Sequence, residues 1–318
     1  MLPEGVLNDG NCMNRRTSAV YAASGFIVII VVLSAYFLAK KPEQAAFHGS
    51  SESQKVFVFR DVKYSGEKKG IVAWEVRAKL VRKFMDKPTV EMEGIDGEYR
   101  PKPDTVVSFK GLKGQMDTAK ETGTVQNVEI YYKDQYVIKS SSMDFDFQKS
   151  LASTTAPVDV QGKKFTMVGV GLNADTREQL ITVERDVSGT IQEEKSKYKF
   201  SADRFTYLLK DNTYIFEGKV VVKGEKMDIL CDKISVFSDH DKPEKADATG
   251  HVRILSKGTI AKSERAVYYF REGKAVLTEE PTVVKDTMKM EGMSITYDLN
   301  NDRFSVDKPK MRIDQRPR

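Results

Sequence analysis

The side chains most often used for catalysis are scarce and scattered. Three His (His48, His240, His251) and two Cys (Cys12, Cys231) are spread over 318 residues with no metal-ligand spacing among them. Asp239 and Asp241 flank His240, but a bare acidic loop of this kind reads as solvated surface. Gly169 to Gly171 continues as Leu-Asn-Ala without the Lys-Ser/Thr of a phosphate loop, and no Gly-x-Ser-x-Gly elbow occurs. Carboxylates are plentiful, yet none stands in an apolar setting that would raise its pKa. No enzyme, metal or cofactor is expected. The net charge of +5 comes from 51 Lys/Arg interspersed with 46 Asp/Glu, without the basic stripe of a nucleic-acid binder. Binding or transport is the class that this composition leaves.

The elements that position these residues begin with an apolar run. Ala19 to Ala39 carries no charge over 21 residues, a helix of about 31 Å that matches the bilayer core. Arg15 and Arg16 precede it, Lys40 and Lys41 follow it, and no small-x-small cleavage site intervenes. The run reads as an uncleaved anchor with a cytoplasmic tail (1–18), a polar tether (40–55) and the bulk translocated. Met13 begins an ordinary n-region, so the first 12 residues read as a dispensable tail or an upstream start. Cys231, flanked by Leu230 and Asp232, reads as a buried small hydrophobe.

Beyond the tether the pattern alternates with period two, as in Lys55 to Phe59 and His251 to Ile254. A Gly or Pro opening a Val/Ile-rich strand recurs at Pro88, Gly123, Pro157, Gly189, Gly218, Gly250, Pro281 and Pro309. A second series aligns 201–207, 231–237, 263–269 and 292–298, with 141–147 as an earlier copy. Polar turns such as Lys210-Asp211-Asn212 and Arg271-Glu272-Gly273 separate the strands. The expected fold is all-β: an elongated antiparallel β-jelly roll of about eight two-stranded repeats, stacked over a continuous core, after one N-terminal transmembrane helix. The single Trp, Trp74, is a core residue or a ligand contact. Faces that close give only a core. Faces that splay give a groove for an acyl chain.

Several motifs carry a resemblance. Asp61 to Ser65 (DVKYS), Gly70 to Ala78 (GIVAWEVRA), Val90 to Gly94 (VEMEG), Gly123 to Val125, Met143 to Phe145, Pro157-Val158 and Gly169 to Leu172 resemble the periplasmic domain of the lipopolysaccharide export family LptC. Tyr198 to Asp203 (YKFSAD), Phe216 to Val220, Ala248 to Val252, Ala266 to Tyr268 and Glu291 to Tyr297 resemble the OstA-like domain of LptA. The resemblance implies an LptC-like jelly roll over 56–190 and an LptA-like one over 191–318. It implies lipopolysaccharide as cargo, held by its acyl chains in an apolar groove. It also implies two sets of partners: the inner-membrane ABC transporter of LptB, LptF and LptG, and an LptA-like bridge protein or outer-membrane LptD. These would join end to end by strand augmentation.

The groove residues expected on this basis are Trp74, Val90, Met92, Val158, Val160, Tyr198, Phe200, Val252, Ile254, Met311 and Ile313. Two alternatives are an AsmA/TamB-type phospholipid carrier and a closed envelope scaffold without lipid.

Overall fold

The computed structural model describes residues 56–313, except 69–70, 103–104, 133–135, 147, 193–196, 226, 240–241 and 302. The tail, the anchor 19–39 and the tether, with Cys12, His48 and also His240, lie outside the described residues. Among those described, no helix is long and apolar enough to cross a membrane. Gln54–Arg318 forms one compact unit.

Every element described is a strand. The first eight are β1 (Val56–Lys68), β2 (Ile71–Phe84), β3 (Thr89–Lys102), β4 (Thr105–Asp117), β5 (Thr122–Tyr132), β6 (Tyr136–Asp146), β7 (Leu151–Gly162) and β8 (Phe165–Asp175). Then follow β9 (Leu180–Gln192), β10 (Lys197–Ala202), β11 (Arg204–Leu208), β12 (Thr213–Lys223), β13 (Asp228–Asp239), β14 (Lys242–Ser256) and β15 (Thr259–Tyr269). The last six are short: β16 (Lys274–Thr278), β17 (Thr282–Lys285), β18 (Met288–Glu291), β19 (Ser294–Asp298), β20 (Arg303–Asp307) and β21 (Lys310–Ile313). All pair antiparallel in one continuous sheet. Pairs β10/β11, β16/β17, β18/β19 and β20/β21 each continue one crossing of the sheet. The expected division at 190/191 falls inside β9, which pairs with both β10 and β11.

The thirty-residue period has a physical origin different from the one expected. Pro157, Gly189, Gly218 and Gly250 do not open strands; they lie within β7, β9, β12 and β14. Pro157, Gly218 and Gly250 mark a mid-strand corner, and Gly189 lies just beyond one. Backbone φ turns positive at or beside corners at Asp61, Gly94, Asn127, Gly171, Asp186, Lys219, His251, Glu280 and Lys308. The register slips at the same places, for example between Glu217 and Val220 and between Thr249 and Val252. A bulge bends a strand and re-aims its side chains. Inward residues across the corner are therefore three or four apart rather than two: Ala78 and Val81, Val125 and Val128, Phe216 and Val220, Ala248 and Val252. Toward the C-terminus the bend becomes a full break, around Pro281 and Pro309.

Each strand thus contributes one segment to a first leaf and one to a second leaf, joined at the corner. Gly218 and Gly250 (φ +77 and +75) sit where a Cβ would lie 2.4 Å from Oδ2 of Asp203 and Asp232. Only Gly accepts both this φ and this approach. Equivalent corners close with backbone bonds: Asp203 N donates to Gly218 O (2.8 Å), Glu264 N to Glu279 O (3.0 Å) and Met293 N to Asp307 O (3.0 Å).

The turns at the first-leaf end are built around Asp. Asp117 accepts from Ala119 N and Lys120 N, and Asp175 from Arg177 N and Glu178 N. Such Asx turns favour the reversal between antiparallel strands. The same bonding, from the Lys149 N–H, holds the Asp146 carboxyl below its usual range.

The internal alignment shifts by one residue in two copies. Ala202 and Ser140, not Ser201 and Ser141, occupy the place of Cys231 and Ser263, each just before the corner. Ser201 faces outward, whereas Cys231 is buried.

Candidate functional site

The interior between the leaves is lined by ladders that cross the whole sheet. At the middle of the second leaf one ladder runs Tyr64, Val76, Gly97, Phe109, Ile130, Ile138, Val160, Met167, Gly189, Phe200, Val222, Ile229, Ile254, Ala261, Val283, Met290 and Met311. On the first leaf another runs Phe57, Lys83, Val90, Met116, Gly123, Phe145, Ala152, Ala174, Ile181, Tyr207, Tyr214, Val236, Ala246, Tyr268, Ala275, Tyr297 and Phe304. Each takes one residue from every crossing, and apart from Lys83 none is charged.

Burial falls from the corner outward. Residues beside the corner, such as Val81, Val128, Val183, Val220 and Leu277, are completely buried, and Val252 is 0% exposed. Small residues let the leaves approach there: a Cβ on Gly169 would lie 2.4 Å from Val183 Cγ1. Farther out, the first-leaf ladder is half-buried at every position from Lys83 to Tyr268. The rim of the second leaf is aromatic. It runs Trp74, Tyr99, Val107, Tyr132, Tyr136 and then Phe165, Ile191, Tyr198. Trp74 is 37% exposed, so it is not a core residue.

Aromatic rings span the gap. Phe109 meets Phe145 at 6.3 Å between centroids, and Phe200 meets Phe216 edge-on at 5.1 Å. Burial raises the Tyr268 phenol pKa above 10, and the neighbouring Tyr198 adds to it. The opening closes toward the C-terminus, where Tyr297 Oη and Ser256 Oγ join the two rims at 3.2 Å.

Among the residues expected from sequence, those whose side chains are described fall on inward ladders, but at different depths. Val158 and Val252 sit at the corner, fully buried. Val160, Phe200, Ile254 and Met311 share the middle ladder of the second leaf. Val90 and Met92 lie half-buried on the first leaf. Trp74 and Tyr198 lie on the second-leaf rim, and Ile313 pairs with Met288 at its far end. Tyr99, Tyr132, Tyr136, Tyr207, Tyr214 and Tyr268 were missed. Their signal was an aromatic residue recurring within a few positions of the polar turns, which follows from the rim lying at the strand ends.

Among the described residues, no group of three His, Cys, Asp or Glu side chains is placed to hold a metal ion. Cys231 is buried, and burial pushes its thiol pKa up to about 12, so it stays protonated and unreactive. His251 faces outward, where its Nδ1 lies 2.7 Å from Asp232 Oδ2. The hydrogen bond to Asp232 raises its pKa above 6.5.

A family model for LptA/(LptD N-terminal domain) LPS transport proteins matches residues 199–303. Among solved structures, LptH of Pseudomonas aeruginosa, the LptA-homologous periplasmic component of a lipopolysaccharide transport device, is 18% identical. That match covers 38% of this chain and 95% of LptH, with a TM-score of 0.34. No curated protein sequence matches the chain. A family model for LptC-related lipopolysaccharide-assembly proteins matches residues 26–192, more than half of the sequence. The chain belongs to the LptC-related lipopolysaccharide-assembly family.

Proposed function

We propose that the chain is a conduit for lipopolysaccharide between inner and outer membranes, holding acyl chains between its two leaves. The observation that carries this reading is the pair of ladders, one on each leaf, that run from β1 to the last crossing with Lys83 as their one charged residue. A packed core needs no such continuity of half-buried aromatics along a rim. A path for a chain-bearing molecule does. On this reading the segment 19–39 fixes the protein to the inner membrane beside the LptB, LptF and LptG transporter. Residues 56–190 and 191–318 act as LptC-like and LptA-like halves of one path. Unpaired strand edges provide the joints. Among the described residues, β1, with exposed Val56, Phe57, Val58 and Phe59, pairs only with β2. Among the described residues, β20 and β21 pair only with β19 and β18. An LptA-like protein or LptD would add to the latter edge.

Photocrosslinking amino acids at Tyr198, Phe200 and Tyr207 should capture lipopolysaccharide in cells, whereas outward Thr206 and Ser235 should not. Absence of capture at every inward position would sink the proposal. The ring contacts Phe109–Phe145 and Phe200–Phe216 favour a second reading, a closed scaffold without cargo. That reading predicts no capture at any of these sites. Capture of phospholipid in place of lipopolysaccharide, identified by mass spectrometry, would point to an AsmA/TamB-type carrier.

A further inference from the structure

The outward side of the second leaf handles charge differently in its two halves. From β2 to β7 one outward ladder reads Arg77, Asp96, Lys110, Glu129, Lys139, Asp159, changing sign at every step. From β9 to β15 the same ladder reads Ser188, Ser201, Val221, Leu230, Arg253, Lys262, and the alternation stops. Arg253 directly faces Lys262, and one step nearer the rim Lys199 directly faces Lys223. Like charges opposite one another destabilise a sheet. All four are exposed, and among the described residues none is in an ion pair. Asp228 stands across from Lys223 but no ion pair joins them. On the first leaf of the same strands Lys233 pairs with Glu217 at 2.9 Å and Arg265 with Asp247 at 2.6 Å.

Lys199 and Lys223 border a shallow depression of about 430 Å³. Its other polar side chains are the hydroxyls of Thr166, Thr190, Ser188 and Ser201, and no carboxylate lines it. Ammonium and hydroxyl donors without a competing acid suit a phosphate ester. The depression lies back to back with the aromatic rim, since Lys199 follows Tyr198 and Thr166 follows Phe165 in the chain. A headgroup leaving the interior over this rim comes onto it.

We propose that this outward face, centred on Lys199 and Lys223 and extended by Arg253 and Lys262, binds the phosphate groups of a glycolipid headgroup whose acyl chains occupy the interior. It rests on the conduit reading for the chains, and adds where the headgroup is held.

The test uses the full chain in detergent micelles with three probes: diphosphoryl lipid A, the same lipid with both phosphates removed, and inorganic pyrophosphate. The wild-type protein should bind the phosphorylated lipid about five- to tenfold more tightly than the dephosphorylated one, a gain of the size expected for exposed charge contacts. High salt should shrink that ratio. The ratio should fall to near one in Lys199→Gln/Lys223→Gln, which relieves a like-charge pair and so should fold normally. It should persist in Lys210→Gln/Arg271→Gln, which removes the same charge from turns on the opposite rim. An unchanged ratio in the first variant, or an equal loss in the second, overturns the proposal. If neither lipid binds but pyrophosphate still does, in a manner lost in Lys199→Gln/Lys223→Gln, the headgroup assignment is overturned together with the conduit reading, and the face takes free phosphate. If both lipids bind equally and pyrophosphate does not bind, the interior reading stands and this face is excluded.

Discussion

Ser256 Oγ and Tyr297 Oη meet at 3.2 Å although 41 residues separate them in sequence. Ser256 belongs to the rim of the second leaf and Tyr297 to the rim of the first, so this bond closes the mouth of the interior near its C-terminal end. Both residues are buried, at 7% and 4% exposure, and the Tyr297 ring stacks on Phe304 at 4.2 Å. At the opposite end Phe57 and Trp74 stand exposed. Among the described residues, the rims are therefore tied at one end and carry exposed aromatic rings at the other.

Replacing Tyr297 with Phe keeps the stacked ring and removes the bond. The expected cost is about 1 kcal/mol, or roughly 2 °C in Tm for a domain of this size, measured by calorimetry. In cells, capture of lipopolysaccharide at Met290, beside the tie, should rise. A fall in capture with unchanged Tm would contradict the assignment of this pair as a closure.

Gly250 and Gly258 separate two causes of strain. Both have positive φ (+75 and +77), but a Cβ at Gly250 would meet Asp232 whereas none of the surroundings approaches one at Gly258. Gly258→Ala should cost about 1 kcal/mol from backbone conformation alone. Gly250→Ala should cost about 1–3 kcal/mol more, because the corner must also shift. Equal denaturation midpoints for the two variants would show that the corner is not tightly built.

His251 should titrate above 6.5 by NMR, since Asp232 favours its charged form. Asp232→Asn should return it toward the ordinary value. A raised folded pKa makes the pair's contribution full below pH 6.5 and lost as pH rises through the folded value. The stability difference between wild type and Asp232→Asn should therefore be larger at pH 5.5 than at pH 9.

Cys231 should resist thiol reagents. With its pKa near 12, almost no thiolate exists at pH 8 and the sulfur is shielded. In a Cys12→Ser background, the native protein should show no fast-reacting thiol, and denaturant should release one. Rapid native labelling would place Cys231 at the surface.

Phe200→Ala removes a ring that contacts both Phe165 (5.6 Å) and Phe216 (5.1 Å). If the interior is as closed as these contacts make it, the cost is about 3–5 kcal/mol, read by chemical denaturation. Bound lipopolysaccharide should offset part of it. Equal losses with and without lipid would separate Phe200 from the cargo path.

Much of this protein is local and was legible along the chain. The alternation beyond residue 55 specifies strands, because a strand's faces repeat every two residues. The thirty-residue period specifies a repeated hairpin. Cys231 between Leu230 and Asp232 reads as buried, and it is. Val160, Phe200 and Ile254 read as inward, and they are.

What the tertiary structure decided depends on relations between strands. A bulge shifts the register, and where inward residues lie three apart across it the faces beyond it are exchanged. Strict alternation therefore cannot carry an inward assignment from Ala78 to Val81, or a repeat alignment from Ser201 to Cys231. Pro157, Gly218 and Gly250 look like strand openers in sequence because breakers usually end strands; only pairing on both sides reveals them as corners. Register also decides that Lys199 faces Lys223 while Lys139 faces Glu129 and Asp159, though all are single cations in alternating strands. The meeting of Ser256 with Tyr297 has no local trace at all. The chain alone specifies a two-faced β sheet, and cross-strand register decides which residues close it, line it and leave its outer charges unmatched.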